Sequence, residues 1–167
     1  MSKTTVFTGT GVAIVTPMFS DGSVNYEKYR ELIEWQIENG TNAIIACGTT
    51  GESSTLNDDE HVDVIRIAVE QSKGRVPVIA GTGSNDTGYC LELSRKAKEL
   101  GSDALLIVTP YYNKTSQRGL IAHYTAIADD VRMPIILYNV PSRTGVDIKP
   151  TEILIRLRER LPCAAIH

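Results

Sequence analysis

The stretch VPVIAGTGSNDTGYCLELSRKAKELGSDALLIVT, Val76–Thr109, holds one full turn of the pattern that decides the fold. It opens on a short apolar run, Val76–Ala80, and passes into a loop of glycine, threonine, serine and asparagine. A charged amphipathic stretch follows over about Asn85–Leu100, stops at Gly101, and gives way to a second apolar run at Ala104. The same order recurs outward in both directions. The apolar runs are Val12–Thr16, Ala43–Cys47, Val76–Ala80, Ala104–Thr109, Pro134–Tyr138 and Cys163–Ile166. Their spacing of about 30 residues is that of a βα unit. None alternates apolar with polar, which predicts strands buried on both faces, as in a parallel sheet.

The intervening stretches read as helices. Asn25 is placed to cap the first, with Tyr29, Leu32, Ile33, Gln36 and Ile37 at helical spacing and Gly40 as its stop. Asn57 caps the second, and Glu60 stands at the capping-box position. Val62, Ile65, Ile67 and Val69 give that helix its apolar face. The third spans about Asn85–Leu100 and the fourth about Ser116–Asp130. The fifth opens near Pro150–Thr151, with Ile153, Leu154 and Leu157 on one side.

Strict β-α alternation leaves a doubly wound sheet or a barrel. Gly81-Thr82-Gly83 follows a strand, but Asp86 stands where a dinucleotide fingerprint needs its third glycine, and no GK[ST] phosphate loop occurs. The even repeat without nucleotide motifs predicts a (β/α)8 TIM barrel. Such a barrel takes roughly 250 residues, with about 200 near the lower limit. The 167 residues here end at the sixth strand. The expectation is an incomplete α/β barrel of five to six βα units with a parallel sheet: a single partial domain over 1–167, truncated after strand six.

Composition is that of an ordinary soluble chain, with 42% hydrophobic and 22% charged residues. A net charge of −3 and a pI near 5.6 offer no basic surface for nucleic acid. No apolar run approaches the roughly 18–20 residues of a membrane span. The N-terminus, MSKTTVFTGTG, lacks the apolar core of a signal peptide. Cys47, Cys90 and Cys163 form no CxxC pair or zinc spacing and read as buried free thiols. The expected location is cytoplasmic, and no His/Asp/Glu cluster suggests a metal.

Barrel sites form at the C-terminal ends of strands. After the second strand, Gly48-Thr49-Thr50-Gly51-Glu52 offers hydroxyls and free N–H groups suited to a small carboxylate. A turn whose threonines bond their own backbone reads equally well. Gly81-Thr82-Gly83-Ser84-Asn85 is explained by close backbone packing and a helix cap. Thr109-Pro110-Tyr111-Tyr112-Asn113-Lys114 sets adjacent tyrosines in a loop, suited to proton relay or to an interface. Tyr138-Asn139-Val140-Pro141-Ser142-Arg143-Thr144-Gly145 pairs a strand-end phenol with either a carboxylate-binding or a plain surface arginine. His61 and His123 fall in helices as surface or packing residues.

Together, and in this order, the four loops resemble the dihydrodipicolinate synthase family of the lysine-dependent pyruvate aldolase/lyase superfamily, over nearly the whole chain from about Gly9. The resemblance implies condensation of pyruvate with L-aspartate 4-semialdehyde through a lysine Schiff base, in lysine and diaminopimelate biosynthesis, with no cofactor. It implies that Thr50 holds the pyruvate carboxylate and that Tyr138 assists proton transfer. Thr49 and Tyr112 complete a relay, Tyr112 reaching into a neighbouring subunit, and Arg143 binds the semialdehyde carboxylate. The implied assembly is a homo-oligomer, a dimer or tetramer. Ser53, His61, Asn85 and Tyr111 match positions of a lysine-inhibitor site, but Tyr89 stands where that site has a glutamate.

The family's Schiff-base lysine aligns with His167. A Schiff base requires a primary amine, and an imidazole cannot pass on to a neutral imine or enamine. The remaining lysines fall in the N-terminal segment, in helices or in loops. The sequence therefore predicts that the isolated chain lacks synthase activity. Open first and sixth strands predict aggregation, self-association or partial folding. Two alternatives stand beside this: a non-catalytic half-barrel that self-associates or binds pyruvate weakly, and a fragment of a sibling sugar-acid aldolase, against which Arg143 argues.

Overall fold

A computed structural model describes residues 5–151 and the strand at 164–166. Six strands, β1 (Gly11–Ala13), β2 (Ala43–Ala46), β3 (Val78–Gly81), β4 (Ala104–Val108), β5 (Ile135–Tyr138) and β6 (Ala164–Ile166), pair in parallel in sequence order. Helices α1 (Tyr26–Glu38), α2 (Asp58–Ser72), α3 (Thr87–Glu99) and α4 (Gln117–Val131) connect the first five. The one-turn helix α5 (Pro141–Thr144) follows β5, and Pro150 and Thr151 open a further helix. This is an incomplete (β/α)8 barrel. Among the described residues, β1 pairs with β2 alone and β6 with β5 alone.

Strand parity sorts the side chains. Ile44 and Ala46, Val78 and Ala80, Leu105 and Ile107, and Ile135 and Leu137 join Tyr29, Ile33, Ile65, Leu120 and Ile127 of the helices in one large core. The alternate positions, Ala43, Ile79, Ala104 and Leu106, form a smaller cluster with Ile45, Ile136 and Tyr138 at its margin. Both faces are apolar, as the absence of alternation predicts. The helix-covered face is sealed, whereas Ile45, Ile136 and Tyr138 on the inner face are half-buried. Parity thus directs Tyr138 to the inside.

Helix starts follow their caps. The Asn25 side chain accepts from the Lys28 amide at 3.0 Å, and Asn57 and Glu60 form the full capping box. The second helix buries Val64 and Ala68 with Ile65 and Ile67, while Val62 and Val69 are only half-buried. α3 begins about two residues later than the expected Asn85, where Asp86 caps it: the carboxylate takes the amides of Gly88 and Tyr89 at 2.7 and 3.2 Å. The one-turn α5 carries no helical periodicity to read, and the sequence analysis misses it. Ile153, Leu154, Leu157, Cys163 and His167 lie outside the described residues. Cys47 and Cys90 are buried free thiols. His61 and His123 are both packing residues, at 6% and 5% exposure.

Two predictions follow from local energetics. Asn57→Ala removes a reciprocal cap and is expected to cost about 1 kcal/mol in urea unfolding. Burial holds His123 down at about 4. Below the ordinary histidine value of ~6.5 the unfolded chain takes up a proton that the folded chain refuses, so stability present above that value is lost as pH falls towards 4. Between about pH 7 and pH 5 the His123 share of that loss is about 2 kcal/mol. His123→Gln should flatten the pH dependence by that amount, with His61, also lowered by burial, leaving the residual slope.

Candidate active site

The site is built from loops at the C-terminal ends of β2 to β5. Beyond β2 the chain turns sharply, with Cys47 and Glu52 both at φ 54°. Gly51 and Ser53 amides donate back to the Gly48 carbonyl at 3.1 and 3.5 Å, and the Thr16 hydroxyl donates to Gly51 O at 2.7 Å. The turn is therefore held by its backbone and by a residue from the end of β1. Thr49 and Thr50 are exposed, and neither hydroxyl has a hydrogen-bond partner among the described residues. The reading of threonines spent on their own backbone is set aside.

The β3 loop supplies the floor. A Cβ on Gly81 would lie 2.0 Å from the Cys47 carbonyl oxygen, and one on Gly83 would lie 2.5 Å from the Val108 nitrogen. Both positions require glycine because neighbouring backbone passes there. The Thr82 hydroxyl is occupied with Ser94 at 2.9 Å, which is a packing role. His61 from α2 meets the Gly81 carbonyl with Nε2 at 2.8 Å. A carbonyl only accepts, so Nε2 carries the proton. Burial lowers the His61 pKa and keeps the ring neutral.

After β4, Tyr112 sits at φ 67° with its ring 90% exposed, and Lys114 is also left-handed at φ 50°. Asn85 and Asn113 pair reciprocally: Asn85 Nδ2 donates to Asn113 Oδ1 at 3.1 Å, and Asn113 Nδ2 to Asn85 O at 3.2 Å. After β5, Arg143 rides on α5, capped at Gly145 by a 2.9 Å bond to Pro141 O.

Thr49, Tyr112 and Arg143 line one cleft of about 570 Å³ together with Ser53, His61 and Tyr111. Tyr138 and Thr49 line a recess beside it of about 30 Å³, floored by Gly81, Gly83 and Leu106. Thr50 follows Thr49 in the loop but lines neither space, and Asn85 faces a separate depression with Thr87 and His123. Of the four inhibitor-site positions, Ser53, His61 and Tyr111 are therefore brought together and Asn85 is not. Tyr89 completes the wall. Its hydroxyl donates to Asp58 at 2.7 Å, and burial first, then that bond, pushes its pKa up to about 12. Arg143 is the one formally charged side chain among the described residues lining the cleft. Among the described residues, no lysine lines either space and no group of His, Cys, Asp and Glu suits a metal. The sequence analysis gives no role to Gln117 or Asn139, whose amides hold the backbone after α5. Asn139 lies inside the Tyr138–Gly145 motif, but Gln117 is an unremarkable polar residue at a helix start.

Comparison with known proteins bears on the same loops. Residues 6–164 match the dihydrodipicolinate synthetase family. The 4-hydroxy-tetrahydrodipicolinate synthase of Geobacter sulfurreducens is 62% identical over 161 residues, covering 96% of this chain and 55% of that protein. The synthase of Nitratidesulfovibrio vulgaris is 60% identical over 156 residues, covering 93% and 53%. The crystal structure of the chloride-inhibited dihydrodipicolinate synthase from Acinetobacter baumannii, complexed with pyruvate, superposes with a TM-score of 0.93 at 52% identity. That superposition covers 97% of this chain and 55% of the other. The chain thus spans about half the length of the relatives it matches, and with family match, identity and fold agreeing, it belongs to the dihydrodipicolinate synthetase family.

Proposed function

We propose that this chain carries the substrate-binding and proton-transfer part of a site that condenses pyruvate with L-aspartate 4-semialdehyde. The observation that carries the reading is the convergence of Thr49, Tyr112 and Arg143 on one cleft, with Tyr138 at the recess that adjoins it. The single formal charge among the described residues lining the cleft is positive, which suits a substrate bearing a carboxylate. Thr50 supplies its hydroxyl and N–H as donors for a second, smaller carboxylate, that of pyruvate. Arg143 receives the carboxylate of the semialdehyde.

In this reaction a primary amine adds to the pyruvate carbonyl and water leaves, giving an imine. Loss of a methyl proton gives an enamine, whose carbon attacks the aldehyde. Tyr138 is the proton carrier at the carbonyl, and Thr49 and Tyr112 pass protons to solvent. Tyr112 supports an assembly of more than one copy. Its ring has almost no contact with its own chain and its backbone is left-handed, an arrangement suited to a residue offered to a neighbouring subunit. Cytoplasmic residence belongs to the same reading, in keeping with the free thiols of Cys47 and Cys90.

The amine itself is not among the residues that line the cleft. Lys28, Lys73, Lys96, Lys98, Lys114 and Lys149 all lie off it, and His167, the position aligned with the family lysine, lies outside the described residues. A polypeptide limited to these 167 residues would bind pyruvate without the covalent step. Incubation with pyruvate and borohydride, read by intact mass with circular dichroism confirming folding, should give no reduced adduct. A stoichiometric adduct on one lysine would overturn this part of the reading.

A second reading, a non-catalytic half-barrel that self-associates, is favoured by one observation: among the described strands, β1 and β6 have one neighbour each. Light scattering on the 167-residue polypeptide should then show species above monomer mass. A monodisperse monomer with one sharp unfolding transition would remove this reading.

A further inference from the structure

Arg143 sits on an element that has little reason to hold its shape. α5 is four residues long, has no side-chain N-cap, and leaves Pro141, Ser142, Arg143 and Gly145 exposed. One helical turn is not stable by itself, because nucleation fixes several residues for a single hydrogen bond. A flexible turn would carry the arginine through a wide arc, and a bidentate carboxylate contact tolerates little error in position.

The structure shows what holds the turn. Two amide side chains grip the backbone that leaves it. From the start of α4, Gln117 Nε2 donates to the Asp147 carbonyl at 2.7 Å and Gln117 Oε1 accepts from the Lys149 amide at 3.0 Å. From the end of β5, Asn139 Oδ1 accepts from the Ile148 amide at 3.0 Å and Asn139 Nδ2 donates to the Asp147 carboxylate at 2.8 Å. Between these grips the Thr144 hydroxyl donates to Val146 O at 3.0 Å and accepts from Val146 N at 3.2 Å, with Val146 and Ile148 buried. The loop from Asn139 to Lys149 is closed at its base, with Arg143 near its tip.

We propose that Gln117 and Asn139 act as one positioning unit that sets where Arg143 stands over the cleft. This rests on the reading of Arg143 as the carboxylate-binding group. Only a primary amide fits both places. Each has a backbone N–H on one side and an acceptor on the other, so each needs a donor and an acceptor in one plane. A carboxylate at 117 would face the Asp147 carbonyl with no proton to give, and one at 139 would face the Asp147 carboxylate. The unit also joins two parts of the site. Asn139 follows Tyr138 directly, and Gln117 begins the helix that follows the Tyr111–Tyr112 loop. Gln117 and Asn139 are half-buried and line neither the cleft nor the recess, so they act on the ligand only through the turn.

The test uses the isosteric variants Gln117→Glu and Asn139→Asp, chosen to keep the fold, in the full chain. Amide hydrogen exchange needs no ligand. The α5 amides of Arg143, Thr144 and Gly145, bonded to Val140 O and Pro141 O, should exchange about tenfold faster or more in each variant, alongside Ile148 and Lys149. Faster exchange confined to Ile148 and Lys149, or none, overturns the proposal. The second measurement is the calorimetric affinity for succinic semialdehyde, which keeps the carboxylate and the aldehyde and lacks the amine, set beside that for pyruvate. Each variant should weaken succinic semialdehyde about tenfold and pyruvate less than about twofold, and should add nothing further on an Arg143→Ala background. A further loss on that background, or an equal loss for pyruvate, marks a general structural role and overturns the proposal. If Arg143→Ala leaves the affinity unchanged, or the parent chain does not bind the probe, the reading of Arg143 fails, while the exchange result still decides whether the turn is positioned by these two amides.

Discussion

A methyl group on residue 81 would stand 2.0 Å from the carbonyl oxygen of Cys47, and the working end of the sheet depends on that lack of room. It brings the ends of β2 and β3 into backbone contact. The Gly81 carbonyl is then within 2.8 Å of His61, whose own carbonyl lies 3.7 Å from the Cys47 thiol. Three elements, β2, β3 and α2, meet around one glycine. The Gly48–Glu52 turn leaves from this knot, and Cys47 is held left-handed at φ 54°, a conformation that costs a residue with a side chain about 1–2 kcal/mol. The surrounding contacts over-determine the turn, so Thr49 and Thr50 are presented to solvent without using their own hydroxyls to hold it.

The sheet divides stability from chemistry by parity. Side chains facing the helices are sealed, and fully burying each isoleucine or leucine contributes roughly 1.5–3 kcal/mol. Their neighbours one residue along face the inside of the arc, where Ile45, Ile136 and Tyr138 are only half-buried. Tyr138 is reached from the site because Leu137 is not: a register slip of one residue would exchange the two. The scaffold fixes side chains that leave the strand ends directly. Groups farther out on loops require local devices, such as the Asn85–Asn113 pair beside Tyr112 and the two amides behind Arg143.

How much of this was legible in the sequence follows the same division. Apolar runs without alternation located the six strands to within a few residues, because burial on both faces leaves a composition signal. Caps at Asn25 and Asn57 were legible because a short polar side chain before an amphipathic stretch has few other uses. The third helix was expected from about Asn85 and begins at Thr87, since Asn85 and Asp86 can both accept from an amide and only the chain path selects between them. α5 left no trace, because four residues are too few for a period. The loops drew attention to Thr49, Tyr112, Tyr138 and Arg143 by residue type. That Asn85 faces away from the cleft was not legible, because its partner Asn113 lies 28 positions along the chain and pairing at that distance depends on tertiary structure.

Burial also sets the charge of the cleft. The chain carries a net charge of −3, which disfavours an approaching acid at long range, so attraction has to be local. Arg143 supplies it, and its effect depends on its neighbours remaining neutral. Tyr89, held up at about 12 by burial and by its bond to Asp58, bears no charge near neutral pH and does not offset the guanidinium. His61, lowered by burial, is disfavoured as a second cation, so among the described residues that line the cleft Arg143 carries the formal charge. Ser53, Ser54, Leu56 and Leu93 with the ring of Tyr89 form a wall of the same cleft and add no formal charge to it. A glutamate at position 89 would place a negative charge on that wall. The tyrosine makes the same wall neutral, which leaves the guanidinium of Arg143 without a counter-charge among the described residues that line the cleft.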